Sequence, residues 1–366
     1  MKPGRAIGWG ARGFMGACLV LALFRIAAIG HGDAPDHFDH DAAFSMLVLG
    51  DTGKRHRAFA RGFEGQLSVG ADLAAEDRAH PADALLLLGD NFYMRGLRAE
   101  ELVERIRMNI VLPYCRFVDL TGPRSEEVAS ACPGGPAKPP VRPIFALLGN
   151  HDHLTRESPS LQRDVVPAYV ANWKLSTDVV ARREVANGIS LILVDSTRIE
   201  SEQDLPAYRE ALVSALRESA GPWRVLAAHA AMAVGDNGGI PVAESVRGRF
   251  GTFIRAAVAE AGVPVQLFVA GHHHSLQAVE GSEPPGPALH VIAGSGSRSR
   301  PLRTLHPRAR HASASLGFAR LDWAGEGQQA QLTVSLFESA SWPLLRWGAA
   351  ERVAVLRVTP DGDVFE

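Results

Sequence analysis

A chain of 366 residues, 46% of them hydrophobic and 21% charged, can bury a large core and suits one big α/β unit or two smaller domains. A formal net charge of -2 with no long single-sign runs excludes a binder that grips nucleic acid through a strongly basic body.

The chain opens with Lys2, Arg5 and Arg12, followed by a mostly apolar, uncharged stretch from Gly13 to Phe24. Arg25 and the small-residue pattern Ala28-Ile29-Gly30 come next, so residues 1–30 read as a secretory leader. The apolar run is short for a membrane span, which needs roughly 20 residues. An uncleaved anchor facing the extracytoplasmic side is the alternative, and the membrane is a partner only in that case. Removing this segment leaves a mildly acidic protein. Beyond it, residues 41–360 are expected to form a single catalytic domain.

Short apolar runs then recur. Ser45–Gly50, Ala84–Gly89, Ile144–Gly149, Ile189–Val194, Arg224–Ala228 and Val265–Ala270 lack alternation and read as strands covered on both faces. Helical spacing is present over Glu100–Val111 and Pro206–Ser219. Strand and helix in turn predict an α/β sandwich. Residues 113–143, rich in Pro and Gly, are expected to be a surface loop insertion. Cys115 and Cys132 lie within it; they could pair in an oxidising compartment, or be two unrelated thiols. The tail alternates again over Leu316–Trp323, Gln331–Phe337 and Arg352–Val358, strands that would complete the sheets.

Polar residues cluster where the strands stop. Asp51 follows LVLG, Asp90 follows LLLLG, and Asn150 and His151 follow ALLG. His229 follows VLAA, while His272 and His274 follow LFVAG. Ligands of open α/β sheets bind at the carboxyl ends of strands, so five such ends can converge on one place. Carboxylates, imidazoles and an amide are a donor set for two metal ions, with Asp90 the candidate bridge that offsets their repulsion.

The ordered set G-D-T-G at 50–53, G-D-N-F-Y at 89–93, G-N-H-D-H at 149–153, His229 and G-H-H-H at 271–274 resembles the calcineurin-like metallophosphoesterases. Within them it is most similar to the purple acid phosphatases of the small tartrate-resistant branch. The resemblance implies a four-layer α/β/β/α sandwich with two mixed β-sheets and a two-metal site. Most of that superfamily has a histidine two residues after the first aspartate; here Gly53 stands there, and Tyr93 offers a phenolate instead. The pattern implies Fe(III) held by Asp51, Tyr93 and His274. Fe(II), Zn(II) or Mn(II) would be held by Asn150, His229 and His272, with Asp90 between. His151 would stand beside the phosphate as a proton or hydrogen-bond donor, and Asn91 and Asp152 would brace the ligands from behind.

The implied activity is hydrolysis of small phosphate monoesters by an activated hydroxide. A phosphodiesterase or nucleotide hydrolase on the same site, or an inactive metal-binding protein, are the alternatives. His273 is assigned nothing, and His56 and His153 are read as surface residues. Arg298, Arg300 and Arg303 are read either as lining the pocket mouth or as solvated charge. One departure concerns the run after His229, H-A-A-M-A-V-G-D-N-G-G, which lacks the histidine usual there; Asp236 or Asn237 is the candidate for its place.

Overall fold

Continuous Leu/Val/Ala runs cannot leave a face in water, and in the computed structural model every residue of Phe44–Leu49 and Ile189–Val194 is buried. The structure describes residues 42–54, 65–132, 135, 141–201, 205–232, 244–281, 286–339 and 350–366. Asp41–Glu366 is one compact unit. Residues 1–30, expected to be a leader, and His56, Asp236 and Asn237 lie outside the described residues. No described helix is long and apolar enough to cross a membrane.

The first half of the chain supplies β1 (Phe44–Leu49), β2 (Ala84–Leu87), β3 (Ile144–Ala146), β4 (Trp173–Leu175), β5 (Val180–Ala186) and β6 (Ile189–Val194). Then come β7 (Trp223–Ala228), β8 (Leu267–Ala270), β9 (Leu276–Glu280), β10 (Leu289–Ala293) and β11 (Ala309–Ser313). The tail adds β12 (Gly317–Ala324), β13 (Gln331–Glu338), β14 (Glu351–Val358) and β15 (Val364–Phe365). One sheet of eight strands runs β15-β14-β13-β12-β1-β2-β3-β4, and one of seven runs β11-β9-β10-β8-β7-β6-β5. Both are mixed. β1 to β4 are mutually parallel, as are β6, β7, β8 and β10, while the outer strands pair antiparallel.

The main core lies between the sheets, where Met46, Val48 and Leu86 meet Leu191, Val225 and Val291. Two helices, α2 (Leu205–Arg217) and α3 (Glu244–Ala261), cover the outer face of the second sheet. Leu212, Leu216, Phe250 and Ile254 pack there on Ile192, Leu226 and Phe268. On the other side α1 (Gly65–Ala79) lies against β12, where Arg320 reaches Glu76 at 3.4 Å. This is the calcineurin-like α/β/β/α sandwich. The helix α1 escaped the sequence reading because its buried face includes Gln66, Asp72 and Asp77, so its apolar period is broken.

Two expectations need correction. Glu100–Val111 is not one helix: a 3₁₀ turn Ala99–Glu101, an α segment Leu102–Ile106 and a π segment Arg107–Val111 follow one another. Nor is the first half of the 113–143 segment a surface loop. Tyr114, Phe117, Val118 and Val128 are buried, a short helix spans Glu126–Ala129, and Cys115 is disulfide-bonded to Cys132. Polar ties replace secondary structure here. Asn172 donates to the carbonyls of Phe117 and Arg142, each at 2.7 Å. The buried Asp77 carboxylate accepts from Arg116 at 2.5 Å and from Arg142, clamping both ends of the segment to α1, and it also accepts from the Ala82 N–H.

Removing one partner of a buried ion pair exposes the other to an unpaired state, although both guanidiniums here still reach solvent. Asp77→Ala should therefore lower the unfolding free energy by about 2 kcal/mol, measured by denaturant titration, with the metal ligands left in place.

Candidate metal centre

Parallel pairing aligns the strand ends. Leu49 lies beside Leu87 and Leu87 beside Ala146 in one sheet, and Ala228 lies beside Ala270 in the other. Backbone bonds then join the sheets: Gly50 N–H donates to Ala293 at 2.7 Å and Gly296 N–H donates to Gly50 at 3.0 Å. Among the described residues the non-glycine positions with positive φ are Asp51 (58°), Asp90 (54°), His272 (67°) and His274 (35°). All four are sequence-predicted ligands. Left-handed backbone costs about 1–2 kcal/mol per L-residue and collects at functional turns.

The seven predicted donors assemble as two triads with Asp90 between them. In the first, the Tyr93 hydroxyl donates to Asp51 Oδ1 at 2.7 Å and lies 3.2 Å from His274 Nε2, which is 3.3 Å from Asp51 Oδ1. In the second, Asn150 Oδ1 is 3.2 Å from both His229 Nε2 and His272 Nδ1, and those nitrogens are 3.3 Å apart. Asp90 stands between, with Oδ1 3.5 Å from His229 Nε2. Asp51, Asp90 and His229 offer ligand atoms within 4.8 Å of one another. Donor-to-donor separations near 3 Å match the edges of a coordination shell with bonds of about 2.1 Å. The buried donor set thus fits two metal ions.

Backbone contacts fix the orientation of each donor. His229 Nδ1 donates to the Leu88 carbonyl at 2.9 Å, which directs Nε2 at the cleft. Asp51 Oδ2 accepts from His272 N–H at 2.7 Å, Asp90 Oδ1 accepts from His151 N–H at 3.0 Å, and Ser297 Oγ donates to the Asp51 carbonyl. Asp152 accepts from the N–H groups of Gly149, Asn91 and Phe92 and from Gln162, so it staples the β2 turn to the β3 turn. Asn91 donates to the Leu147 carbonyl at 2.7 Å and to Gln162. Neither Asn91 nor Asp152 has solvent access.

Gly53 has a steric reason. A Cβ there would lie 2.2 Å from the carbonyl of Asn91 and 2.3 Å from Phe92 N. The two turns touch through backbone, with Gly53 N–H donating to Asp90 and Tyr93 N–H donating to Gly53 at 2.8 Å. Position 53 thus places the tyrosine and cannot itself carry a ligand. Arg105 was missed: buried at 4% exposure, it donates to the carbonyls of Gly53 (3.1 Å) and Tyr93 (2.7 Å). The signal was available, since Leu102, Arg105, Ile106, Asn109 and Ile110 share a face that Arg105 and Asn109 interrupt.

His151 Nδ1 donates to the Met94 carbonyl at 2.6 Å, and its ring lies 4.6 Å from that of Tyr93. His153 is not a simple surface residue, because Nε2 bonds Asp195 Oδ2 at 2.8 Å. Arg300 N–H donates to the His274 carbonyl, and Arg300 and Arg298 both act electrostatically on His274. Arg303 is exposed.

The charges ask for cations. Burial pushes Asp51 up to about 7, with His229 opposing and Asp90 adding. Burial also penalises the Asp90 carboxylate, but the charge and hydrogen bond of His229 outweigh it and hold Asp90 well below the usual range. The phenol of Tyr93 is raised by burial and then by both carboxylates. His229 rises to about 10, the charge of Asp90 overcoming burial. His274 falls to about 3 through burial and Arg300, and His272 falls through burial and His229. A protonated His229 thus serves as the resident cation for the carboxylate pair.

A parallel-ended sandwich with two triads of buried and half-buried donors at its strand ends is the frame of a candidate two-metal centre. The chain belongs to the calcineurin-like phosphoesterase family, whose pattern it matches over residues 44–276. None of the curated proteins matches it. Among solved structures it is similar to GAP50, the anchor in the inner membrane complex of Plasmodium, with a TM-score of 0.55 and 14% identity over 85% of this chain and 89% of that one. It is also similar to the purple acid phosphatase PPD1 of yellow lupin seeds, with a TM-score of 0.53 and 13% identity over 88% of this chain and 55% of that one. The chain therefore spans about half the length of the lupin enzyme. PhoD aligns with a TM-score of 0.56 at 10% identity, over 87% of this chain and 70% of that one. At such identities these likenesses show the fold.

Two outcomes follow from the geometry. Metal uptake must expel the His229 proton, so affinity should rise with pH up to about 10, and binding at pH 8 should release protons. Calorimetry in two buffers of different ionisation enthalpy reads this directly; equal heats would contradict it. Asp152→Ala strands three buried N–H groups, each costing about 1–3 kcal/mol, and should lower both the thermal midpoint and the bound metal per chain.

Proposed function

We propose that this chain is an exported phosphomonoesterase of the purple acid phosphatase type, acting on small phosphorylated substrates. Its catalytic domain would span 41–360 behind a cleaved leader at 1–30. The observation that carries the reading is the phenol of Tyr93 inside the Asp51–His274 triad, 2.7 Å from the carboxylate. A phenolate is a hard anionic donor, so this triad suits Fe(III), while the neutral Asn150–His229–His272 triad suits Fe(II), Zn(II) or Mn(II). Asp90, between the triads, would be a ligand available to both ions. When bound, the two ions neutralise the phosphoryl oxygens and lower the pKa of a water nucleophile.

The protein's own part is orientation and proton handling. His151 Nδ1–H is committed to the Met94 carbonyl, so Nε2 is the nitrogen that carries a proton to the departing alcohol. Asp152 and Asn91 keep the two turns in register, and the left-handed strand ends hold the donors converged before substrate arrives. No side chain is required as a covalent nucleophile. A diesterase or nucleotide hydrolase would use the same donors, and a non-catalytic protein of this fold is the remaining alternative; the complete donor set favours turnover.

Purified protein should contain iron with a second metal and show a visible charge-transfer band that Tyr93→Phe removes. It should hydrolyse an aryl monophosphate faster than the matching diester. His151→Ala should lower kcat by about 10²–10⁴-fold with both metals retained. Two zinc ions and no colour would refute the iron assignment, and equal turnover of the diester would refute the monoester one.

A further inference from the structure

The turn after β3 carries two imidazoles, and they diverge. His151 faces the Tyr93 ring and the Met94 carbonyl. His153, in the 3₁₀ turn Asp152–Leu154, donates from Nε2 to Asp195 Oδ2 at 2.8 Å. Asp195 directly follows β6, whose last residue, Val194, pairs with Ala228 immediately before His229. Ala230 N–H donates to Ser196 Oγ at 3.0 Å, tying the Asp195 loop to that same strand end. The His153–Asp195 pair is therefore tied to the strand end that carries His229, and His153 itself lies three residues after Asn150. The Asp195 carboxylate is nearly closed off at 6% exposure and is fixed at both oxygens, because Oδ1 accepts from Arg198 N–H at 3.1 Å. The His153 side chain keeps 20% of its surface open. Its bond to Asp195 uses Nε2 and leaves Nδ1 for a ligand oxygen.

We propose that His153, positioned by Asp195, is a substrate-contacting residue that presents its imidazole to the phosphate oxygens on the Asn150–His229–His272 side. The ligand class is a dianionic phosphate, meaning a monoester or inorganic phosphate, in preference to a monoanionic diester. This rests on the phosphoester reading above. Three groups act on the imidazole besides burial, which lowers its pKa: Asp195 and Asp152 raise it and Arg198 lowers it, with a net rise that favours the charged form. The contact also supplies an imidazole that the run Ala230–Ala243, which holds no histidine, does not. Asp195 acts only through His153 and is a positioning residue.

The test compares the metal-loaded full chain with His153→Gln and Asp195→Asn. His153→Gln should raise both the KM for an aryl monophosphate and the inhibition constant of inorganic phosphate by about tenfold. It should leave kcat within about threefold of the parent and bound metal unchanged, and should narrow the preference for monoester over diester. Asp195→Asn should shift the same constants in the same direction by less. Unchanged KM and phosphate inhibition with metal in place would overturn the proposal. So would loss of folding or metal in both variants, which would assign the pair to structure alone. If the parent protein hydrolyses no monoester, the earlier reading fails by itself. Calorimetric binding of inorganic phosphate to the metal-loaded parent and to His153→Gln then decides this one: tenfold weaker binding in the variant supports it and equal binding overturns it.

Discussion

Three of the strands that deliver side chains to the cleft, β1, β2 and β8, are followed by a sharp turn within a few residues of their ends, where backbone from neighbouring strand ends is already within hydrogen-bonding distance. Asp51, Asp90, His272 and His274 make that turn in left-handed backbone, a conformation otherwise confined to glycine among the described residues. Helix and sheet around the cleft exist, in this sense, to hold four disfavoured residues still. The core between the sheets fixes the strands, the parallel register fixes their ends, and short backbone bonds across the gap leave the turns no alternative. Convergence of charge follows from this backbone constraint rather than causing it.

The electrostatics then take a definite form. Two carboxylates and a phenol share a water-poor site, where burial raises Asp51 to about 7 and the charge of Asp90 raises His229 to about 10, so both groups hold protons more tightly than usual. Cations bound there must replace a proton on each of these groups. Such a cluster is costly to bury without its ions, so the folded state and the loaded state support each other.

Much of this was legible in the sequence. The buried strands were visible as unbroken Leu/Val runs, and the donors were visible because each run ends in a small residue followed by a polar one, glycine in every case but the Ala228–His229 step. What stayed hidden is what does not leave a periodic trace. The face of α1 is part polar, so its buried side looks like surface; the 113–143 segment is pinned by Asp77, Asn172 and a disulfide rather than by apolar spacing. The His153–Asp195 pair joins two polar residues 42 positions apart in the chain, and no local pattern marks such a distance.

The contact at Gly53 has a bearing on how such sites diverge. Because the backbone of Asn91 and Phe92 already fills the space a side chain would need, a histidine cannot be introduced at position 53 while Tyr93 remains where it is. A form with histidine at position 53 and one with the present 89–93 turn are thus separated by a coordinated change in two turns. Lineages that adopted one form would be expected to keep it, and an attempt to exchange the metal preference of this enzyme must rebuild the 89–93 turn before it touches any ligand.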